Sequence, residues 1–444
     1  MKLRSSYSTI IIMTALPCIA ALYAQGRIPD NALGAAIVIS VIRLLTFCIK
    51  PVRSGKDYPG LSIIHGGCVQ LKTYRTAIVF HIVVFVVWKT IGEIKLLPSL
   101  IFWGTAAAEC ILVCFSGGLR LVIRSTQLSV VQRVLLIMFW WLPGINYFIV
   151  RSGEKTAWEE FERETARIEL DNTRAENEIC KTKYPILLVH GIFFRDLNYF
   201  NYWGRIPKEL IKNGAQIYYG KHRSAASVQE CGEELYRRIC EITDSTGCGK
   251  VNIIAHSKGG LDVRYAASLP GACERIASIT TINSPHCGCN YADYLIKKLP
   301  SGVFAFISAK YNAALSRLGE KNSDFAAGVR DLTAKSCAER NSSLPLPPGV
   351  YCQSVGTYMK KLSSAGFPLN AAYVLVKFFS SAPNDGLVDV GSMRWGNDFT
   401  VFEPKTKRGI SHGDIIDLFR EDIPGFDVRE EYVKLVEGLK LKGL

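Results

Sequence analysis

The stretch Val251-Asn252-Ile253-Ile254-Ala255-His256-Ser257-Lys258-Gly259-Gly260 constrains this chain more than any other. It reads as an apolar strand, a sharp turn carrying one serine, and the start of a helix that continues through Leu261, Val263 and Ala266. A serine held in a tight strand-to-helix turn needs small neighbours, because backbone segments crowd there. Ala255 and Gly259 occupy the flanking positions, giving Ala-x-Ser-x-Gly. The helix N-terminus adds a partial positive charge where an oxyanion would form. The competing reading is a chance serine between small residues. The strand before it and the helix after it favour the turn.

Other segments fit around this one. Tyr184-Pro-Ile-Leu-Leu-Val-His190 is a short apolar run that ends in His190-Gly191-Ile192. A helix is expected around 203–213, a strand around 215–219 and a helix around 228–243. Ile276 to Asn283 is a further strand, ending in Ser284-Pro285-His286. Strands alternating with helices predict an α/β domain with a mainly parallel sheet. Gly191 lets the backbone turn so that the next amide can point into a site. The two amide donors for an oxyanion are then the backbone N–H groups of Ile192 and Lys258, so their side chains are expected to matter little. His190 is read as a structural histidine that braces this loop.

A serine becomes a nucleophile only with a base, and the base needs an orienting carboxylate. In hydrolases built on such a turn the acid and then the histidine follow the serine. Of seven histidines, only His286 and His412 come after Ser257. His286 follows the next strand too closely for an acid to precede it. His412, in Gly409-Ile410-Ser411-His412-Gly413-Asp414, is the expected base. For the acid, Asn384-Asp385-Gly386 is a turn at the required place, and Leu387 and Val388 re-enter the core. Asp389 and Asp398 are rivals, read otherwise as surface or turn carboxylates.

Three regions are expected: a multi-span membrane region at 1–150, a linker helix at 151–182 and the α/β domain at 183–444. The apolar excess lies before about Val150, within a mean hydropathy of +0.15. Five apolar stretches run from Ser8 to Ala24, Ala32 to Ile49, Ala77 to Ile91, Ser99 to Phe115 and Val134 to Val150. Each is near the ~20 residues that cross a bilayer. The third is short, and Pro143-Gly144 breaks the fifth. Lys2 and Arg4, then Lys50, Arg53, Lys56, Lys72 and Arg75, then Arg120, Arg124 and Arg133 form cation-rich flanks. If those flanks are cytoplasmic, five spans put the C-terminal domain outside the cytoplasm, the expectation adopted; four would put it inside. The net charge of +14 fits such flanks and a solvated surface. No basic-aromatic pattern or nucleic-acid motif is present, so nucleic acid is not an expected partner.

From Arg151 to about Cys180, Trp158, Phe161, Thr165, Ile168, Asn172, Ala175 and Ile179 at spacings of three and four mark one helix face, too polar for a coiled coil and read as a stalk or linker helix packing on the next domain. Residues 293–383 read as a cap or lid insertion. Within it, Leu295 to Leu318 is rich in apolar residues, either a lid over an acyl pocket or an ordinary cap helix. Among 14 cysteines there is no CxxC pair and no zinc-ligand spacing. Cys337 and Cys352 bracket a Pro-rich loop and are candidates for a disulfide.

Three stretches together resemble bacterial triacylglycerol lipases of the α/β-hydrolase superfamily: Tyr184 to Gly191; Val251 to Gly260 with Thr280-Thr-Ile-Asn-Ser-Pro-His-Cys-Gly288; and Asn384 to Val388 with His412. Ala255 in place of glycine looks like a variant among such lipases in Gram-positive bacteria. The resemblance implies an esterase with Ser257, Asp385 and His412 as triad, Ile192 and Lys258 as oxyanion donors, a lipid ester as substrate and no required cofactor. In some of these lipases a calcium ion braces the histidine loop. Asp414 matches one of its ligands and no second acidic ligand is found, so a helix-capping aspartate is the other reading. The N-terminal spans depart from secreted lipases. A lipid acyltransferase or a phospholipase A-type enzyme would use the same triad. A non-catalytic membrane scaffold or receptor is the alternative of another class.

Overall fold

In the computed structural model of the chain, residues 2–50, 58–92, 95–142, 144–192, 201–317, 320, 322–403 and 406–444 are described. The chain forms two compact units, Met1–Asn172 and Thr173–Leu444.

The first unit is helical: α1 (Lys2–Tyr23), α2 (Asp30–Ile49), α3 (Pro59–Ile91), α4 (Leu96–Arg124), α5 (Val130–Phe139) and α6 (Ile145–Arg174). Among the described residues, four helices are long and apolar enough to cross a bilayer, α1 to α4. The third apolar stretch is only the second half of α3, which has 33 residues. Its first half reads as polar because its polar groups are spent inside the unit. Gln70 donates to the Phe47 carbonyl at 2.8 Å, and Arg75 pairs with Glu154 at 2.8 Å. The fifth apolar stretch is not one span. It is split between α5, which has 10 residues and a Ser129–Gln132 capping box, and the start of α6. The charged segment after Arg151 continues α6 and belongs largely to this unit. Ala157, Trp158 and Phe161 join its apolar core. Glu160 accepts from Ser125 Oγ at 2.5 Å and from the Thr126 amide at 2.9 Å, satisfying the turn after α4.

The second unit runs β1 (Ile186–Val189), α7 (Ile206–Lys212), β2 (Ile217–Tyr219), α8 (Val228–Thr246), β3 (Val251–His256), α9 (Lys258–Ser268), α10 (Ala272–Arg275) and β4 (Ile276–Ile282). Then come α11 (Asn290–Lys298), α12 (Ser301–Arg317), α13 (Phe325–Arg330), α14 (Ala334–Ser343), β5 (Tyr351–Gly356), α15 (Leu369–Phe379), α16 (Val390–Met393), β6 (Asp398–Val401) and α17 (Val428–Leu441). The strands form one sheet in the order β2-β1-β3-β4-β5-β6, and every pairing is parallel. A parallel sheet needs both faces covered, and the strand residues alternate accordingly. Ile186, Leu188, Ile254 and Ile282 pack on one side with Ile206, Leu210, Tyr432 and Val433 of α7 and α17. Leu187, Val189, Ile253 and Ala255 pack on the other with Leu235, Ile239, Val263 and Ala266 of α8 and α9. Each fully buried Leu or Ile contributes roughly 2 kcal/mol.

Two strands escape the sequence pattern, β5 and β6. β5 lies inside 293–383 and is a sheet strand between β4 and β6, so that stretch is not all insertion. Its run is interrupted by polar residues that the fold satisfies. Gln353 donates to Thr280 Oγ1 at 2.9 Å and Ser354 to the Trp395 carbonyl at 2.6 Å. Cys337 and Cys352 are free buried thiols rather than a disulfide.

Candidate active site

β3 is buried along its whole length, and it delivers Ser257 at the sheet's C-terminal edge. Ser257 sits at φ 55° and ψ −132°, a backbone geometry few side chains adopt, and its amide donates to the Ile282 carbonyl of β4 at 2.9 Å. The two glycines after it are required by space. A Cβ on Gly259 would overlap the His190 carbonyl, and one on Gly260 would overlap the Ser284 side chain. The strained elbow expected from sequence is therefore present, held by close approach of β1 and of the turn after β4.

His412 reaches the serine from the loop after β6. Its Nε2 is 3.0 Å from Ser257 Oγ and its Nδ1 is 2.6 Å from Asp385 Oδ2. With the Nδ1 proton directed at the carboxylate, Nε2 is left to accept the serine proton. The His412 amide also donates to the Asp385 carbonyl at 2.8 Å, so the two loops are tied by backbone and side chain. Asp385 is fully buried. Its Oδ1 accepts from the amides of Leu387 at 2.9 Å and Val388 at 2.7 Å. Gly386, at φ 103°, makes that turn, and its amide donates to Asn384 Oδ1. The rivals act elsewhere. Asp389 caps α16 through the Ser392 amide, and Asp398 accepts from Tyr351.

Ile192 is buried and lines one cavity together with Ser257 and His412, and Lys258 is the first residue of α9. Among the described residues, neither backbone N–H donates to a protein acceptor. The His190 ring is stacked on that of His222 with centroids 4.1 Å apart, and its Nδ1 is 3.0 Å from the Gly191 carbonyl. His286 packs on Trp395 and contacts Thr281 and Arg264. Asp414 is engaged by its own loop. Its carboxylate accepts from the Ser411 amide at 2.9 Å and pairs with Arg408 at 3.2 Å. Burial pushes its carboxyl up, against the pull of Arg408 and Ser411. Among the described residues no three His, Cys, Asp or Glu side chains gather as a metal site. With a guanidinium on its one candidate ligand, this donor set does not fit a calcium ion.

Three further residues complete the constellation. Asn283, at φ 47° just after β4, donates from Nδ2 to Asp385 Oδ2 and to Thr357 Oγ1, both at 2.7 Å. Tyr202 bonds His256 Nδ1 at 2.6 Å and accepts from the Gly191 amide at 3.0 Å. His256, with its ring 4.5 Å from that of His412, is held neutral chiefly by burial and further by His412. Position alone could have flagged Asn283, which lies at the C-terminal end of the strand beside β3, where sites of parallel sheets gather. Nothing in the local sequence marks Tyr202.

The serine opens onto a cavity of about 440 Å³ lined mainly by apolar side chains: Ile192, Tyr311, Leu369, Leu387, Leu418 and Phe419. Tyr311 comes from α12 and Leu369 from α15, so the cap region forms part of its wall.

A parallel sheet whose central strand ends in a serine elbow, with the aspartate and histidine on later loops, is an α/β-hydrolase domain. No family model matches the chain. It is 30% identical over 237 residues to a triacylglycerol lipase of Vibrio cholerae serotype O1, covering 49% of this chain and 75% of that protein. It is 32% identical over 183 residues to a triacylglycerol lipase of Burkholderia plantarii, covering 38% of this chain and 51% of that one. A triacylglycerol lipase of Pseudarthrobacter phenanthrenivorans is 33% identical over 176 residues, covering 37% and 54%. The chain thus spans about half the length of the latter two relatives. The solved structure of Staphylococcus hyicus lipase is similar at a TM-score of 0.46 and 17% identity, over 59% of this chain and 97% of that one. The chain belongs to the triacylglycerol lipase family.

Proposed function

We propose that the protein is a membrane-anchored serine hydrolase that cleaves carboxylic esters of acylglycerol-type lipids. The observation that carries this reading is the hydrogen-bonded series Asp385–His412–Ser257 at the mouth of an apolar cavity. His412 takes the Ser257 proton as Oγ attacks the ester carbonyl. Asp385 orients the imidazole and stabilises its charged form. The amides of Ile192 and Lys258 receive the oxyanion, each contributing about 3 kcal/mol to the barrier reduction. His412 then protonates the leaving alcohol and activates the water that releases the acid. The family relatives support the ester class, and the apolar cavity lining supports an acyl chain over a polar substrate. The cap carries Phe306 on α12 and Phe378 on α15 exposed to solvent, which fits a surface that meets lipid.

Four crossings would return the chain to the side on which it starts. The cation-rich segments around Lys2, Lys50 and Arg120 to Arg133 all fall at that side. By the preference of such flanks for the cytoplasm, the hydrolase domain is cytoplasmic. The extracytoplasmic expectation needed a fifth crossing, and α5 has half the required length. Nine free thiols in the second unit suit a reducing compartment.

The test is an ester-release assay on membranes carrying wild type, Ser257→Ala or His412→Ala, with short- and long-chain p-nitrophenyl and glyceryl esters. Activity lost in both variants, with fluorophosphonate labelling lost in Ser257→Ala, is the expected result. Labelling without release would point to acyl transfer, and absence of labelling would leave a scaffold.

A further inference from the structure

The Lys258 side chain does not reach solvent. Although Lys258 opens α9, its side chain is 1% exposed and its ammonium lies 2.7 Å from Asp262 Oδ1, one turn along the same helix. A second contact is Cys231 Sγ on α8 at 3.4 Å. The other Asp262 oxygen faces His222 Nε2 at 3.7 Å. His222 is stacked on His190, with an interplanar angle of 11°, and His190 immediately precedes Gly191 and Ile192. A buried polar series therefore runs behind the serine, Lys258–Asp262–His222–His190, from one proposed oxyanion amide to the strand end that carries the other.

Stability does not account for it. A cation in the first turn of a helix opposes the helix dipole. Lysine before an acid at i, i+4 is also the less favourable order. Burying both charges costs several kcal/mol per ion, and apolar side chains of similar volume often do as well or better. A simple space-filler at this place would be Leu or Met.

We infer that the buried Lys258–Asp262 pair is a positioning device for oxyanion stabilisation. It fixes the first turn of α9, and with it the Lys258 amide, against α8 and the His222–His190 stack. The side chain of Lys258 then matters as much as its amide, contrary to the sequence-based expectation. Lys258 and Asp262 act through the amides and do not touch substrate. The inference rests on the ester-hydrolase reading above.

The experiment replaces the pair by apolar residues, Lys258→Met with Asp262→Leu, in the full-length protein in detergent. Thermal unfolding, kcat and KM on a p-nitrophenyl ester, and inhibition by a trifluoromethyl ketone, which forms a tetrahedral oxyanion on the serine, are measured. The expected result is an unfolding midpoint at or above that of the wild type and KM within twofold. The same variant should show kcat at least tenfold lower and an inhibition constant raised by a similar factor. A folded double variant with kcat and inhibition constant within twofold of wild type would overturn the inference. If that variant does not accumulate, kcat and the inhibition constant of Asp262→Asn are read against the same limits, with a lower unfolding midpoint expected because one buried charge loses its partner, and an unchanged kcat there overturns it equally. A wild type that fluorophosphonate does not label removes the ester reading and this inference with it. A labelled wild type beside an unaffected variant removes the inference alone.

Discussion

Asn283 donates its side-chain amide to the same Asp385 oxygen that faces His412, at 2.7 Å and 2.6 Å respectively. The carboxylate is thereby restrained by a neighbour from a different strand end. A hydrogen bond to a charged group is worth about 1.5–3 kcal/mol. Asn283→Ala is expected to lower kcat by about 10- to 100-fold with KM little changed, because Asp385 keeps its two amide donors but loses lateral restraint. Steady-state kinetics on a chromogenic ester decide this. A wild-type kcat in a folded Asn283→Ala protein would reduce the bond to packing.

Tyr202 joins the segment after β1 to the elbow strand through a single hydroxyl, between the Gly191 amide and His256 Nδ1. Tyr202→Phe leaves a buried N–H and a buried ring nitrogen without that partner. The expected loss of stability is about 1–3 kcal/mol, with kcat lowered because Gly191 precedes Ile192. Denaturant unfolding and kcat measured on the same preparation test both halves of the statement.

Gly259 and Gly260 should respond differently to alanine. At Gly259 the new methyl meets a backbone carbonyl, that of His190, which cannot yield without moving β1. At Gly260 it meets side chains, Ser284 most closely and Thr281 Cγ2 at 3.0 Å. Overpacking of the second kind costs about 1–3 kcal/mol, and Ser284→Gly should recover part of it. A double-mutant cycle on the unfolding midpoint would show a coupling of the rescuing sign for Gly260→Ala with Ser284→Gly. The same Ser284 change should not rescue Gly259→Ala.

Acid should destabilise the fold from near neutrality downward. His256 and His286 are held well below the usual imidazole range, chiefly by burial; His412 adds to this at the first, Arg264 and Arg340 at the second. Their unfolded imidazoles take up protons at about pH 6.5. Below that pH the unfolded chain binds protons that the native chain refuses, so stability falls as pH falls and is fully present above it. The unfolding midpoint should be flat from pH 7 to 8 and decline below about 6.5. His286→Gln, at a ring that packs on Trp395 and does not line the serine's cavity, should make that decline shallower. An unchanged slope in this variant would mean that other groups carry the acid response.

Much of this site could be read before any coordinates. Ser257, Asp385 and His412 sit in short stretches whose turn chemistry is local: an apolar strand into Ser-x-Gly, an Asn-Asp-Gly turn, a histidine before a short helical turn. Chain order alone narrowed the base to His412, and the structure brings the three side chains into hydrogen-bonding contact. Asn283, Tyr202 and the Lys258–Asp262 pair could not be read in the same way. Each is an ordinary polar residue in its own segment, and beyond the strand-end position of Asn283 its role appears only from what packs on it. β5 was hidden for a related reason, since Gln353 and Ser354 look unsuited to a core strand until their partners Thr280 and Trp395 are known.

By itself the sequence determined the division into an apolar helical part and an α/β part, the elbow, and the chain order of its serine, the aspartate turn and the histidine loop. These follow from periodicity, turn residues and chain direction, which act over a few residues and are written into the local pattern. Only the tertiary structure decided that the fifth apolar stretch is split between α5 and α6, and that a strand runs inside the expected cap. It likewise decided that Asp414 is spent on Arg408 and that the Lys258 ammonium is buried against Asp262. Those outcomes turn on desolvation and hydrogen-bond satisfaction between segments far apart in the chain, where the energy of a polar group depends on its partner and not on its neighbours in sequence.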